Sequence, residues 1–108
     1  MPLKEAMDLH FEVTSCLGKH IGISNEEWNY LIHVKHPELA GREEEIKYTL
    51  AVADFVRLSQ RDKDVYLYYK RIEKYYLCVV CRHLDGSGFI ITSYFTSQLK
   101  RGKEQWPK

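Results

Sequence analysis

A chain of 108 residues, 44% hydrophobic and 29% charged, fits one small domain with a single core. No apolar run approaches the ~20 residues of a membrane helix, and Met1-Pro2-Leu3-Lys4-Glu5 opens no signal-peptide core. The three cysteines, an odd number, suggest no secreted disulfide framework. The expectation is therefore one cytoplasmic domain over 1–108, its core at about 10–107, with no membrane partner. The net charge of +1 hides a split: residues 1–56 carry 5 Lys/Arg and 10 Asp/Glu, residues 57–108 carry 11 and 5. Such a division points to an anionic partner facing the C-terminal half, or to attraction between the two halves.

In chain order, residues 10–16 alternate as a strand does, Gly18 marks a turn, and Lys19 to Ile23 reads as a returning strand. Ser24-Asn25-Glu26-Glu27 has capping-box spacing. Trp28, Leu31, Ile32 and Lys35 follow at helical intervals, and Pro37 ends that helix at His36. A second helix is predicted from about Arg42 to Val52. Its acidic start, Glu43-Glu44-Glu45, suits a helix N-terminus, and Ile46, Leu50 and Ala53 form its buried stripe. From Asp54 the chain turns to Val, Ile, Tyr and Phe. Strands are predicted over Asp54–Leu58, Val65–Ile72, Tyr75–Leu84 and Gly88–Thr96, divided by short turn signals that imply antiparallel neighbours. The expected fold class is α+β: N-terminal helices packed on a curled antiparallel sheet of four or five strands. The tail from Lys100 is basic, and Trp106 either anchors it on the core or stacks on a base.

Polar groups sit inside these strands where apolar ones are usual. Alternation places Tyr66, Tyr68, Lys70 and Ile72 on one face of their strand, and Thr92, Tyr94 and Thr96 on one face of another. Lys70 is a candidate phosphate contact with tyrosines beside it for base stacking. It reads equally as a lysine on a solvated face. His36, at a helix end before proline, suits general acid–base work. His33 and His36 could begin a metal site, but no further ligands are evident. Cys78 and Cys81 would point to opposite faces of one strand, so neither a metal nor a cofactor is expected. Glycine-rich phosphate loops, nucleophile elbows and His-Glu-x-x-His are absent.

Taken in order, Trp28, Lys35-His36-Pro37-Glu38-Leu39, the acidic helix, Asp54-x-Val56, Tyr68-Tyr69-Lys70, Gly88-Phe89-Ile90-Ile91-Thr92-Ser93-Tyr94, Lys100 and Trp106 carry a resemblance. From about residue 12 to 107 the chain resembles the small phage and bacterial nuclease-like domains grouped with barnase, EndoU, colicin nucleases and RelE. The resemblance implies a toxin-like, metal-independent endoribonuclease with an RNA-binding cleft on the sheet face opposite the helices. RNA is then the expected partner, and an antitoxin or inhibitor protein a second one. His36, Lys70, Thr92 and Tyr94 are carried over as catalytic. Tyr30, His33, Tyr68, Arg71 and Lys100 are the expected substrate contacts. Two positions depart from the pattern: Tyr30 stands where a second helix histidine is expected, and Ala53 where a proline usually precedes the aspartate.

The implied chemistry is attack of the ribose 2′-OH on its own phosphate. His36 would act as base, Lys70 and Thr92 would hold the phosphate, and Tyr94 would orient it or protonate the leaving oxygen. The competing reading is a non-catalytic RNA- or protein-binding module that uses the same Tyr/Lys/Thr face.

Overall fold

The computed structural model describes residues 8–107. Strands β1 (Leu9–Thr14) and β2 (His20–Ser24) form an antiparallel hairpin with Val13 opposite Ile21. Ser15 builds its turn: the hydroxyl accepts from the N–H groups of Leu17 and Lys19 at 3.2 and 3.3 Å. Serine favours turns because such local bonds compete with a ladder. Ser24 caps α1 (Asn25–Tyr30) by accepting from Glu27 N–H at 3.1 Å, the bond that its spacing predicts.

The α-helix does not continue to Lys35. From Leu31 to Lys35 the chain widens into a π turn, closed by His36 N–H donating to Leu31 C=O at 2.7 Å. Pro37 disfavours helical geometry at His36, which adopts φ −141°, ψ 75°, and a 3-10 turn, Pro37–Leu39, follows. Trp28 and Leu31 are buried as the periodicity predicts, whereas Lys35 is exposed. The second helix, α2 (Glu43–Ala51), buries Ile46 and Leu50, with buried Ala53 just beyond it.

The remaining strands are β3 (Phe55–Ser59), β4 (Val65–Ile72), β5 (Tyr75–His83), β6 (Ser87–Thr96) and β7 (Gly102–Trp106). All seven strands join one sheet in the order β1-β2-β6-β5-β4-β3-β7. The expected fold class is thereby corrected. The sheet has seven strands and is mixed, since β2 runs parallel to β6 while the other pairings are antiparallel. The helices, of six and nine residues, lie between the hairpin and the meander.

Two glycines sit at the added pairings. A Cβ at Gly88 would lie 2.9 Å from Ile21 Cδ1 in β2 and 2.5 Å from Arg82 C=O in β5, and one at Gly102 would crowd Leu58 C=O, where β7 meets β3. The basic tail thus becomes an edge strand. Trp106 anchors it by donating from Nε1 to Ala53 C=O at 3.0 Å.

The register sorts side chains between two faces. Tyr68, Leu77, Val79, Cys81 and Ile90 face the helices in the main core with Leu39, Ile46 and Leu50. Each such side chain contributes about 1.5–3 kcal/mol on burial. The opposite face carries a smaller cluster, Leu67, Tyr69 and Cys78, with Phe55, Val80 and Tyr94 packed against it. No helix among the described residues is long and apolar enough to cross a membrane.

Candidate functional site

The face without helices holds a cleft of about 560 Å³. Val65 and Leu67 from β4 and Val80 from β5 form its apolar floor, Thr92 and Tyr94 come from β6, and Arg61, Lys100 and Arg101 bring cations to its rim. The register explains the convergence: Val80 pairs with Thr92, and Cys78 pairs with Tyr94.

Two loops carry the cations. In the first, Ser59 Oγ accepts from the N–H groups of Arg61 and Asp62 at 3.1 and 3.2 Å, folding the turn that presents Arg61. The second joins β6 to β7. Lys100 N–H donates to the Tyr69 hydroxyl at 3.0 Å, and Arg57 Nη1 donates to Lys100 C=O at 3.3 Å. The Lys100 ammonium lies 5.8 Å from the Tyr94 ring centre.

Three buried polar atoms here have no hydrogen-bond partner: Arg57 Nε, Thr92 Oγ1 and the Tyr94 hydroxyl. Arg57 pairs with Leu67 and so shares the cleft's face of the sheet. A buried group left unsatisfied costs about 1–3 kcal/mol. Each of the three can donate, and two of them, on Thr92 and Tyr94, belong to residues that line the cleft. The Cys78 thiol is a close neighbour of the Tyr94 hydroxyl. Burial first, then the neighbouring Cys78, pushes the Tyr94 phenol well above its ordinary pKa, so it is a firmly protonated donor at neutral pH. Burial likewise raises Tyr69 to about 12.

His36 stands beside this row. Its ring centre is 6.1 Å from that of Tyr94, at an interplanar angle of 41°, and its Nδ1 lies 3.2 Å from Glu38 Oε2. Thr92, Tyr94 and Lys100 are therefore brought together in the cleft, His36 borders it through the Tyr94 ring without lining it, and the other sequence-predicted residues lie elsewhere. Lys70 faces the helices. Its ammonium pairs with Asp54 at 3.1 Å and lies 5.0 Å from the Tyr48 ring centre. Burial acts to raise the Asp54 pKa, but the Arg71 N–H and Lys70 outweigh it and the net shift is downward.

Tyr68 is fully buried, donating to Ser15 Oγ at 2.9 Å and lying 2.8 Å from His83 Nε2, so it offers no surface to a substrate. Arg71 donates to Glu73 C=O at 2.7 Å and lies over Tyr76, outside the cleft lining. Tyr30 and His33 are exposed and do not line the cleft. Sequence reasoning missed Arg57, Arg61, Arg101 and Tyr69. Arg61 reads as part of a turn signal, and nothing in the alternation marks Tyr69 as the residue that holds Lys100.

Among the described residues no three His, Cys, Asp or Glu side chains converge as a metal site. Cys78 and Cys81 lie on opposite faces of the sheet. No family model, curated protein or solved structure matches this chain.

Proposed function

We propose that the chain is a metal-independent endoribonuclease of toxin-like type, acting in the cleft bounded by Arg61, Thr92, Tyr94 and Lys100. The observation that carries this reading is the pair of unpartnered hydroxyls, on Thr92 and Tyr94, in a cleft rimmed by cations. A phosphodiester supplies acceptor oxygens and negative charge together, and arginine recognises phosphate with paired donors.

The chemistry starts at the ribose. His36 takes the 2′-OH proton, and the 2′ oxygen bonds to the adjacent phosphorus. The bond from phosphorus to the 5′ oxygen then breaks, leaving a 2′,3′-cyclic phosphate. Lys100 and Arg61 stabilise charge on the phosphoryl oxygens, replacing Lys70 in that role. Thr92 donates to the phosphate. The Tyr94 phenol passes its proton to the departing alkoxide, a stronger base than phenolate, and is reprotonated through solvent as His36 releases the proton it took. The apolar floor of Val65, Leu67 and Val80 offers a surface for a base.

A binding module that holds RNA without cutting it is the second reading. It is favoured by the position of Lys70, which leaves the cleft without the expected strand lysine. Incubation of the purified protein with total RNA in EDTA, beside single-stranded DNA, separates the two. Fragments ending in 2′,3′-cyclic phosphate, confined to the RNA lane, are the expected result. Intact RNA, retained by the protein in a salt-sensitive way, would establish the binding module instead.

A further inference from the structure

His36 and Glu38 are two residues apart, a spacing at which side chains seldom meet in a helix. Here they meet because Pro37 breaks the helix between them. The His36 backbone is held from both sides: its N–H donates to Leu31 C=O at 2.7 Å, and its C=O accepts from Leu39 N–H at 3.0 Å. The 3-10 turn then carries the Glu38 carboxylate to 3.2 Å from His36 Nδ1. The two side chains are 29% and 52% exposed, open enough to exchange protons with a ligand or solvent.

From this arrangement we infer that Glu38 is a positioning residue that sets the tautomer of His36 and makes its Nε2 the basic nitrogen. This rests on the ribonuclease reading of the same site. A carboxylate only accepts hydrogen bonds, so it holds a proton on Nδ1 and leaves the lone pair on Nε2. A nucleophile or base oriented by a third group is the recurring logic of such sites. Neither side chain lines the cleft, but the His36 ring borders it through Tyr94 while Glu38 bonds to His36, so the effect of Glu38 on catalysis passes through the imidazole.

The experiment pairs two readouts on the full chain. The first is the imidazole ¹⁵N spectrum of neutral His36 in the unaltered protein and in Glu38→Gln, recorded without RNA. A glutamine can accept from Nδ1–H or donate to a bare Nδ1, so it permits both tautomers. The unaltered protein should hold the Nδ1–H form, and Glu38→Gln should give a mixture, a change that a merely structural role would not produce. The second readout is RNA cleavage. An exposed pair of this kind is worth about 0.2–1 kcal/mol, so kcat should fall about 1.4- to fivefold with KM unchanged. His36 found in the Nε2–H form, unaltered tautomers in Glu38→Gln, or cleavage with unchanged kcat would each overturn the inference alone. Absence of RNA cleavage by the unaltered chain would instead overturn the nuclease reading, and the catalytic part of Glu38 with it.

Discussion

Acidification should destabilise this protein through His83. The ring is buried, stacked on Tyr66 at 3.8 Å between centres and 13° between planes, with Nε2 2.8 Å from the Tyr68 hydroxyl. Burial first, then Lys19, lowers its pKa from 6.5 to about 4. The unfolded chain restores the ordinary value, so between these two pH values the unfolded state binds more protons. The stability that His83 contributes is complete above its unfolded pKa and is lost as pH falls toward its folded pKa. At about 1.36 kcal/mol per pKa unit, lowering pH from ~7 to ~5 costs about 2 kcal/mol.

Urea unfolding of the unaltered protein and of His83→Gln at both pH values measures the effect. Glutamine keeps a donor toward Tyr68 without titrating, so the variant should lose about 2 kcal/mol less on acidification. Asp54 and Glu43, whose pKa values are lowered in the fold, act in the same direction in both proteins and cancel in the comparison. Equal pH dependence in the two proteins would show that His83 does not carry the acid sensitivity. The result bears on the site, because His83, Tyr68 and Ser15 tie β5, β4 and the first hairpin together beneath the cleft floor.

The other expectations concern the helix-facing lysine and the edge strand. Lys70→Met should cost about 1 kcal/mol of stability through the lost Asp54 pair yet leave RNA cleavage within about threefold, because separated sites act independently to within ~0.5 kcal/mol. A hundredfold loss of rate, on the scale of ~10²–10⁴ for a catalytic group, would move the chemistry to the helix side. Gly102→Ala should cost about 1–3 kcal/mol, as overpacking does, because its Cβ would crowd Leu58 C=O. The loss should appear as loosened Trp106 fluorescence in the folded protein, and unchanged stability would contradict the close β3–β7 approach.

Much of the local structure is legible in the chain. The alternation of residues 10–16, the Ser24 cap, the stop at Pro37 and the stripe Ile46, Leu50 and Ala53 all rest on short-range physics. The assembly of the sheet is not legible, because parallel pairing of β2 with β6 and recruitment of the tail depend on which edges need covering. Alternation also groups Lys70 with Tyr68 and Ile72, but the open face is decided by where α1 and α2 pack. That choice separates Lys70 from Thr92 and Tyr94 and leaves Arg61 and Lys100 among the cations at the cleft. Arg61 lies in a turn and Lys100 in a loop, where periodicity carries no information.

The most direct test of the cleft is an amide and side-chain NMR titration with an RNA oligonucleotide that carries 2′-O-methyl groups and so resists cleavage. Shifts should concentrate at Arg61, Thr92, Tyr94 and Lys100, extend to His36, and weaken steeply with salt. Shifts confined to Lys70, Tyr48 and the helix-covered face, or none at all, would contradict RNA binding in the cleft.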